Sequence, residues 1–179
     1  MLWLLQHFGC LGLVCMLSNV NTDILVDAVA KSSDASFRSD TVAGYHLLGA
    51  CIVAGRLDLA EKLVAGGFPI DLVNPGYVTT ALSEASCYEN IESVRWLLEH
   101  GANPNGYVTE DCSPLHHAAA RDDLAIARAL LVAGANPWIR DIAGRMPVEV
   151  ARSDDMKRLL SEFRGSAHEF GSPVGKYQE

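Results

Sequence analysis

Six residues within twelve consecutive positions carry groups able to do chemistry: Cys112, Ser113, His116, His117, Asp122 and Asp123. A thiol or hydroxyl beside an imidazole and a carboxylate is the raw material of a nucleophilic site, in which the imidazole takes the nucleophile's proton and the acid orients the imidazole. Two histidines and an acid are also part of a zinc ligand set. Both uses require the groups to converge on one point. Adjacent histidines leave a helix in different directions, so His116 and His117 share one ion poorly. Elsewhere the chain holds no GxSxG elbow, no GxxxxGK[ST] or GxGxxG loop, no HExxH pair and no EF-hand loop. The five cysteines, Cys10, Cys15, Cys51, Cys87 and Cys112, are odd in number and form no CxxC pair. That argues against a disulfide framework or a cysteine-based zinc site and favours small buried hydrophobes. The expectation is therefore no catalytic residue, no metal and no cofactor.

The elements around these residues explain them better. Three segments align without gaps or forcing: GRLDLAEKLVAGGFP from Gly55, ENIESVRWLLEHGANP from Glu89 and RDDLAIARALLVAGANP from Arg121. Their closing glycines, Gly67, Gly101 and Gly134, are spaced 34 and 33 apart. TALSEAS from Thr80, SPLHHAA from Ser113 and MPVEVAR from Met146 repeat at 33, and HLLGACIVAG from His46 fills the same place in the first unit. A fixed period of this size is the mark of stacked supersecondary units.

Each unit predicts the same two helices. Thr80 and Ser113 stand where a hydroxyl caps a helix start, and Pro114 and Pro147 follow at the first helical position, where a missing N–H costs nothing. Small residues come next, Ala85 and Ser86 in one unit and Ala118 and Ala119 in another. The second helix carries large apolar side chains at helical spacing: Ile91, Val94, Leu97 and Leu98, then Leu124, Ile126, Ala127, Leu130 and Leu131. Asp122 and Asp123 fall in the turn between helices, placed to cap the second one. Trp96 reads as part of the buried face. Glycine then ends the helix by entering the left-handed region.

These features together resemble the ankyrin repeat: the TALS, SPLH and MPVE starts, the paired small residues, the LL…GANP ends and the DIAGR loop from Asp141 to Arg145. The resemblance covers residues 46–162. It implies an all-α solenoid of helix-turn-helix repeats with loop or hairpin fingers, in four repeats at 46–79, 80–112, 113–145 and 146–164. The first repeat departs from the pattern with His46-Leu47, and the fourth is shortened, as a terminal unit would be. The resemblance also implies a structural role for His116, whose ring would tie its repeat start to the neighbour. His117 occupies a position that is usually apolar and reads as a partly buried neutral histidine.

Residues 1–45 form an apolar segment and a helical cap. Fourteen of the first 20 residues are apolar, and the first Lys or Arg is Lys31. The segment has the length of a signal or anchor, which would mean export or membrane tethering, but it lacks a basic flank. The alternative is a helix packed on the first repeat in a cytoplasmic protein; both stay open. Thr22–Asp34 reads as an amphipathic helix, and 165–179 as a flexible tail. With 14 Lys and Arg against 22 Asp and Glu, the net charge is −8. This excludes the basic face of a nucleic-acid binder and favours a basic partner.

A stacked array leaves its concave face free, which in the ankyrin family implies binding of another protein by a chain that is monomeric when free. By register, the finger tips supply Tyr77, Thr79, Tyr107, Thr109, Glu110 and Arg145. The ends of the first helices supply Tyr88, Glu89, Arg121 and Asp122. The tetrad GYVT occurs at 76–79 and 106–109, and tyrosine and arginine dominate interface hot spots. Trp138 either stands exposed or covers the base of the last finger. Small bacterial members of the family that neutralise a toxin, in the manner of immunity proteins, and host-delivered effectors are the models such a chain suggests.

Overall fold

The computed structural model describes residues 48–73, 79–107 and 112–165. The expectations for residues 1–47, for Tyr77, Thr109 and Glu110, and for the tail beyond 165 lie outside them. Among the described residues the architecture is all-α. Helical residues 48–53 (α1) and Leu57–Ala65 (α2) form the first pair, and Ala81–Cys87 (α3) with Ile91–Glu99 (α4) the second. Pro114–Arg121 (α5) and Leu124–Val132 (α6) form the third, Pro147–Val150 (α7) and Asp154–Gly165 (α8) the fourth.

The pairs stack in two layers. First helices pack on one another, α3 on α5 and α5 on α7, while α4 packs on α6 and α6 on α8. First helices are narrow because their inward residues are small: Ala81, Ala85, Ser86, Ala118 and Ala119 are all buried. The second helices bring the bulk, with Leu59, Leu63, Val94, Leu97, Ile126, Leu130, Leu131, Met156 and Leu160 fully or almost fully covered in one continuous core. Cys51 is part of that core, and burial pushes its thiol up to about 12. It is a protonated, inert side chain.

Starts and stops follow the sequence. Thr80 Oγ1 accepts from the Ser83 N–H (3.3 Å), Asn90 Oδ1 from the Ser93 N–H (3.0 Å), and Pro114 and Pro147 open α5 and α7. The closing glycines have φ of 88°, 87° and 94°. At Gly101 an added Cβ would meet nothing within 4 Å, so glycine is needed there for its backbone angle and not for space. Its turn returns the Ala102 N–H to the Leu97 carbonyl (3.0 Å).

Two expectations need correction. Trp96 is half-buried, not in the closed core: its ring stacks on His100 at 4.0 Å, and His100 Nδ1–H donates to the Trp96 carbonyl (2.8 Å). Of the two aspartates in the α5–α6 turn, only Asp123 caps α6, accepting from the Ala125 and Ile126 N–H groups at 3.0 Å each. Asp122 is turned to the next repeat instead. Asp123→Ala is accordingly expected to lose about 1 kcal/mol of stability in urea unfolding. Asp122→Ala should leave the α6 cap intact and speed amide exchange at Ser153.

Candidate functional site

The turn between paired helices contains a backbone position that repeats with the array. Gly55, Glu89 and Asp122 each stand twelve residues before a closing glycine, with φ of 69°, 58° and 56°. Left-handed geometry costs a non-glycine residue about 1–2 kcal/mol. Both non-glycine occupants use it to send a carboxylate across a repeat boundary. Glu89 Oε1 accepts from Arg121 Nη1 at 2.9 Å, and Arg121 Nη2 also reaches Cys87 Sγ at 3.7 Å. Asp122 Oδ1 accepts from the Ser153 N–H and Oγ–H (3.0 Å each) and from the Arg152 N–H (3.3 Å). The Ser153 backbone bond, chiefly, holds the Asp122 carboxyl below the usual range.

Tyr88 is the C-terminal cap of α3 and is 52% exposed beside Glu89. Tyr88, Glu89 and Arg121 therefore share one rim spanning the second and third pairs. Thr79 is half-buried, and its hydroxyl donates to Glu84 Oε1 (3.3 Å). Tyr107, on the finger after α4, is half exposed. Arg145 is committed to its own loop: its guanidinium and its N–H both donate to Asp141, whose side chain is closed off. Burial alone would raise the Asp141 carboxyl, but the Arg145 and Ala143 hydrogen bonds outweigh it and hold it low. Trp138 stands 43% exposed on the third finger.

The six groups at 112–123 do not converge on one point. His116 is buried with both ring nitrogens engaged. Nε2 lies 2.8 Å from the Arg145 carbonyl, which only accepts, so Nε2 carries the proton. Nδ1 then accepts from the Ser113 hydroxyl (2.8 Å) and N–H (3.3 Å). Burial lowers the His116 imidazole below its ordinary range and keeps it neutral. An imidazole so occupied is not a base for Cys112. His117 is half-buried, lowered first by burial and then by the neighbouring His116 and Arg121. Among the described residues no three His, Cys, Asp or Glu side chains gather as a metal site.

Glu84 is the residue that sequence reasoning passed over. It is buried to 9% exposure on α3, exactly one 33-residue period before His117 on the adjoining α5. The signal was present in the register: both depart from the usual apolar residue at that offset. The Glu84 carboxylate accepts from the Thr79 hydroxyl, at 3.3 Å.

The fingers are joined by a one-way ladder. Asp71 Oδ1 accepts from the Asn103 N–H (2.9 Å), and Asn105 Oδ1 accepts from the Asn136 N–H (2.7 Å). Asp71, Asn105 and Trp138 share one offset, four residues past the closing glycine.

Comparison with known proteins agrees with this geometry. The family model for ankyrin repeats, in three copies, matches residues 47–141. A stretch of 89 residues, 50% of the chain, is 39% identical to the human BCL-6 corepressor-like protein 1, of which it spans 5%. Over 121 residues, 66% of the chain, it is 31% identical to a putative ankyrin repeat-containing protein of Treponema pallidum, spanning 41% of it. The chain thus covers less than half the length of either relative. The crystal structure of the ankyrin repeat domain of Bcl-3 superimposes with a TM-score of 0.60 at 27% identity, over 64% of this chain and 50% of that one.

Proposed function

The chain belongs to the ankyrin repeat family, whose repeats are protein–protein interaction modules, and from that premise we propose that it binds a partner protein through the rim and fingers of its concave face. The observation that carries the reading is the rim itself: Tyr88 exposed beside an ion pair, Glu89–Arg121, that links two repeats at 2.9 Å. An aromatic ring next to a paired arginine offers apolar area and oriented charge with little side-chain freedom left to lose. Tyr107 extends the surface to a finger, and Thr79 with Glu84 supplies a polar floor. Asp122 and Arg145 contribute by fixing neighbouring turns, since their polar groups are already bound within the array. Tyr77, Thr109 and Glu110 belong to the same proposed surface by register. A basic partner matches the net charge of −8. The toxin-neutralising version of this reading draws nothing from the relatives named above; the binding reading rests on the family and on this surface.

The test is crosslinking of the full chain in its native cell, followed by affinity measurement with the partner so identified. Tyr88→Ala combined with Tyr107→Ala is expected to weaken binding about 100-fold, or roughly 3 kcal/mol. Unchanged affinity would place the partner elsewhere and overturn this site.

A further inference from the structure

At the upstream end of the array stands a helix with no open side. Over residues 48–52 every position of α1 is buried, with Leu48, Ala50, Cys51 and Ile52 at 1% exposure or less. Five consecutive residues turn through more than a full circle of helix, so neighbours surround it. The same offsets in the other units show what such burial requires. In α3, with a pair on either side, residues 82–86 are all buried, and in α5 residues 115–119 are buried except for half-buried His117. In the fourth unit the side away from the array is uncovered: Glu149 and Arg152 are exposed, and Val148 and Val150 only half-buried. α1 thus has the burial of an internal unit. The second helices agree. Ser93 Oγ–H and Asn90 Nδ2–H both donate to the Ile52 carbonyl (3.0 and 3.3 Å), so at this offset a second helix faces the unit before its own. Leu59 stands 34 residues before Ser93, and it has no exposed surface.

We propose that the upstream face of α1 and α2 is the docking site of residues 14–33 of this same chain, which stack on it as one further helix pair. The period of the array carries the match. Thr22 stands 34 residues before Arg56, at the offset from which Asn90 and Asp123 cap their second helices. Asn21 precedes it at the left-handed offset of Gly55, Glu89 and Asp122, and asparagine enters that region more readily than most residues. Leu25, Val26, Val29 and Ala30 stand 34 residues before Leu59, Ala60, Leu63 and Val64, all buried or half-buried. Asp27 and Lys31 fall at the exposed offsets of Glu61 and Ala65. Val14-Cys-Met-Leu-Ser18 likewise precedes Leu48-Gly-Ala-Cys-Ile52 by 34 and is as apolar. The match departs at Asp23, where the other units hold a half-buried Leu or Ile, and at Ser33, where they close on glycine. Apolar residues as far as Ser18 then serve the stack, since a unit of this kind buries its face only against its neighbours. The docking rests on the period of the array and is independent of the rim at Tyr88 and Glu89.

The experiment is crosslinking of the full chain with an amine-reactive reagent, read by peptide mass spectrometry. Lysine occurs only at 31, 62, 157 and 176. Lys62 is exposed on α2, and its offset in the docked segment is Ala28, one turn from Lys31. Packed helices lie roughly 8–10 Å apart, so a short reagent is expected to join Lys31 to Lys62 within one chain. Leu25→Asp should abolish that link and speed the reaction of Cys51 with a thiol reagent by about tenfold, as α1 loses its cover. Asp27→Asn, at an exposed offset, should change neither readout. The proposal is overturned if the unaltered chain gives no Lys31–Lys62 link, or if Leu25→Asp leaves Cys51 unreactive. A mixture of isotopically labelled and unlabelled chains that yields the link only between two chains makes the occupant a second copy, and also overturns it. So does loss of the link when the chain sediments with vesicles of phosphatidylcholine and phosphatidylglycerol, or a native chain that begins beyond residue 33.

Discussion

Leu130→Ala is expected to lower the unfolding free energy by about 3 kcal/mol, a large share of the stability of a domain this size. Leu130 has no exposed surface and lies on α6, which packs against α4, α5 and α8. In a stacked array each unit is held by its neighbours, so a void in α6 weakens three contacts together. Urea unfolding followed by circular dichroism should show an earlier midpoint, with a shallower slope if the α8 side melts first. A change below 1 kcal/mol would mean that the site collapses around the smaller side chain and that the layers are more plastic than their burial indicates.

His116→Ala is the second large effect, about 2–3 kcal/mol at pH 7.5. The substitution removes the ring's hydrogen bonds with the Ser113 hydroxyl and N–H and with the Arg145 carbonyl at the far end of the same repeat, and leaves a gap where the ring stood. The loss stops short of a fully orphaned acceptor because the Arg145 carbonyl also accepts from the Asp141 N–H (2.9 Å). The pH dependence has a definite sign. Burial lowers His116 and His117, so the folded chain takes their protons less readily than the unfolded chain. Above the ordinary histidine value, about 6.5, both states are neutral and the stability is complete. As pH falls from there through the lower folded values, stability declines by at most about 1.4 kcal/mol per unit for each histidine. Midpoints measured at pH 7.5 and 5.5 should therefore converge for the parent chain and His116→Ala. Parallel curves would show that the ring does not titrate with folding.

Much of this architecture was legible because the residues that define it act locally. A hydroxyl at Thr80, a proline at 114 and a glycine at 101 each decide the angles of a turn from their own covalent structure, and the 33-residue period multiplies the signal. The rim was legible only in outline. Asp122 and Asp123 are the same amino acid in the same turn, yet one caps α6 and the other binds Ser153, 31 residues away. Nothing in the side chain distinguishes them; the left-handed angle at Asp122 does. Gly55 at the equivalent offset was the available clue. Trp96 misled for a different reason. Its ring packs against the core but stays half-buried, stacked on His100 at 4.0 Å.

The ladder between fingers also has a direction. In each rung the oxygen belongs to the earlier loop and the N–H to the later one, so a loop is always seized by its predecessor. Trp138 occupies the third place in that sequence, and an indole donates but has no oxygen to lend. The third finger thus offers no side-chain oxygen at the offset from which the first two fingers each hold the next one.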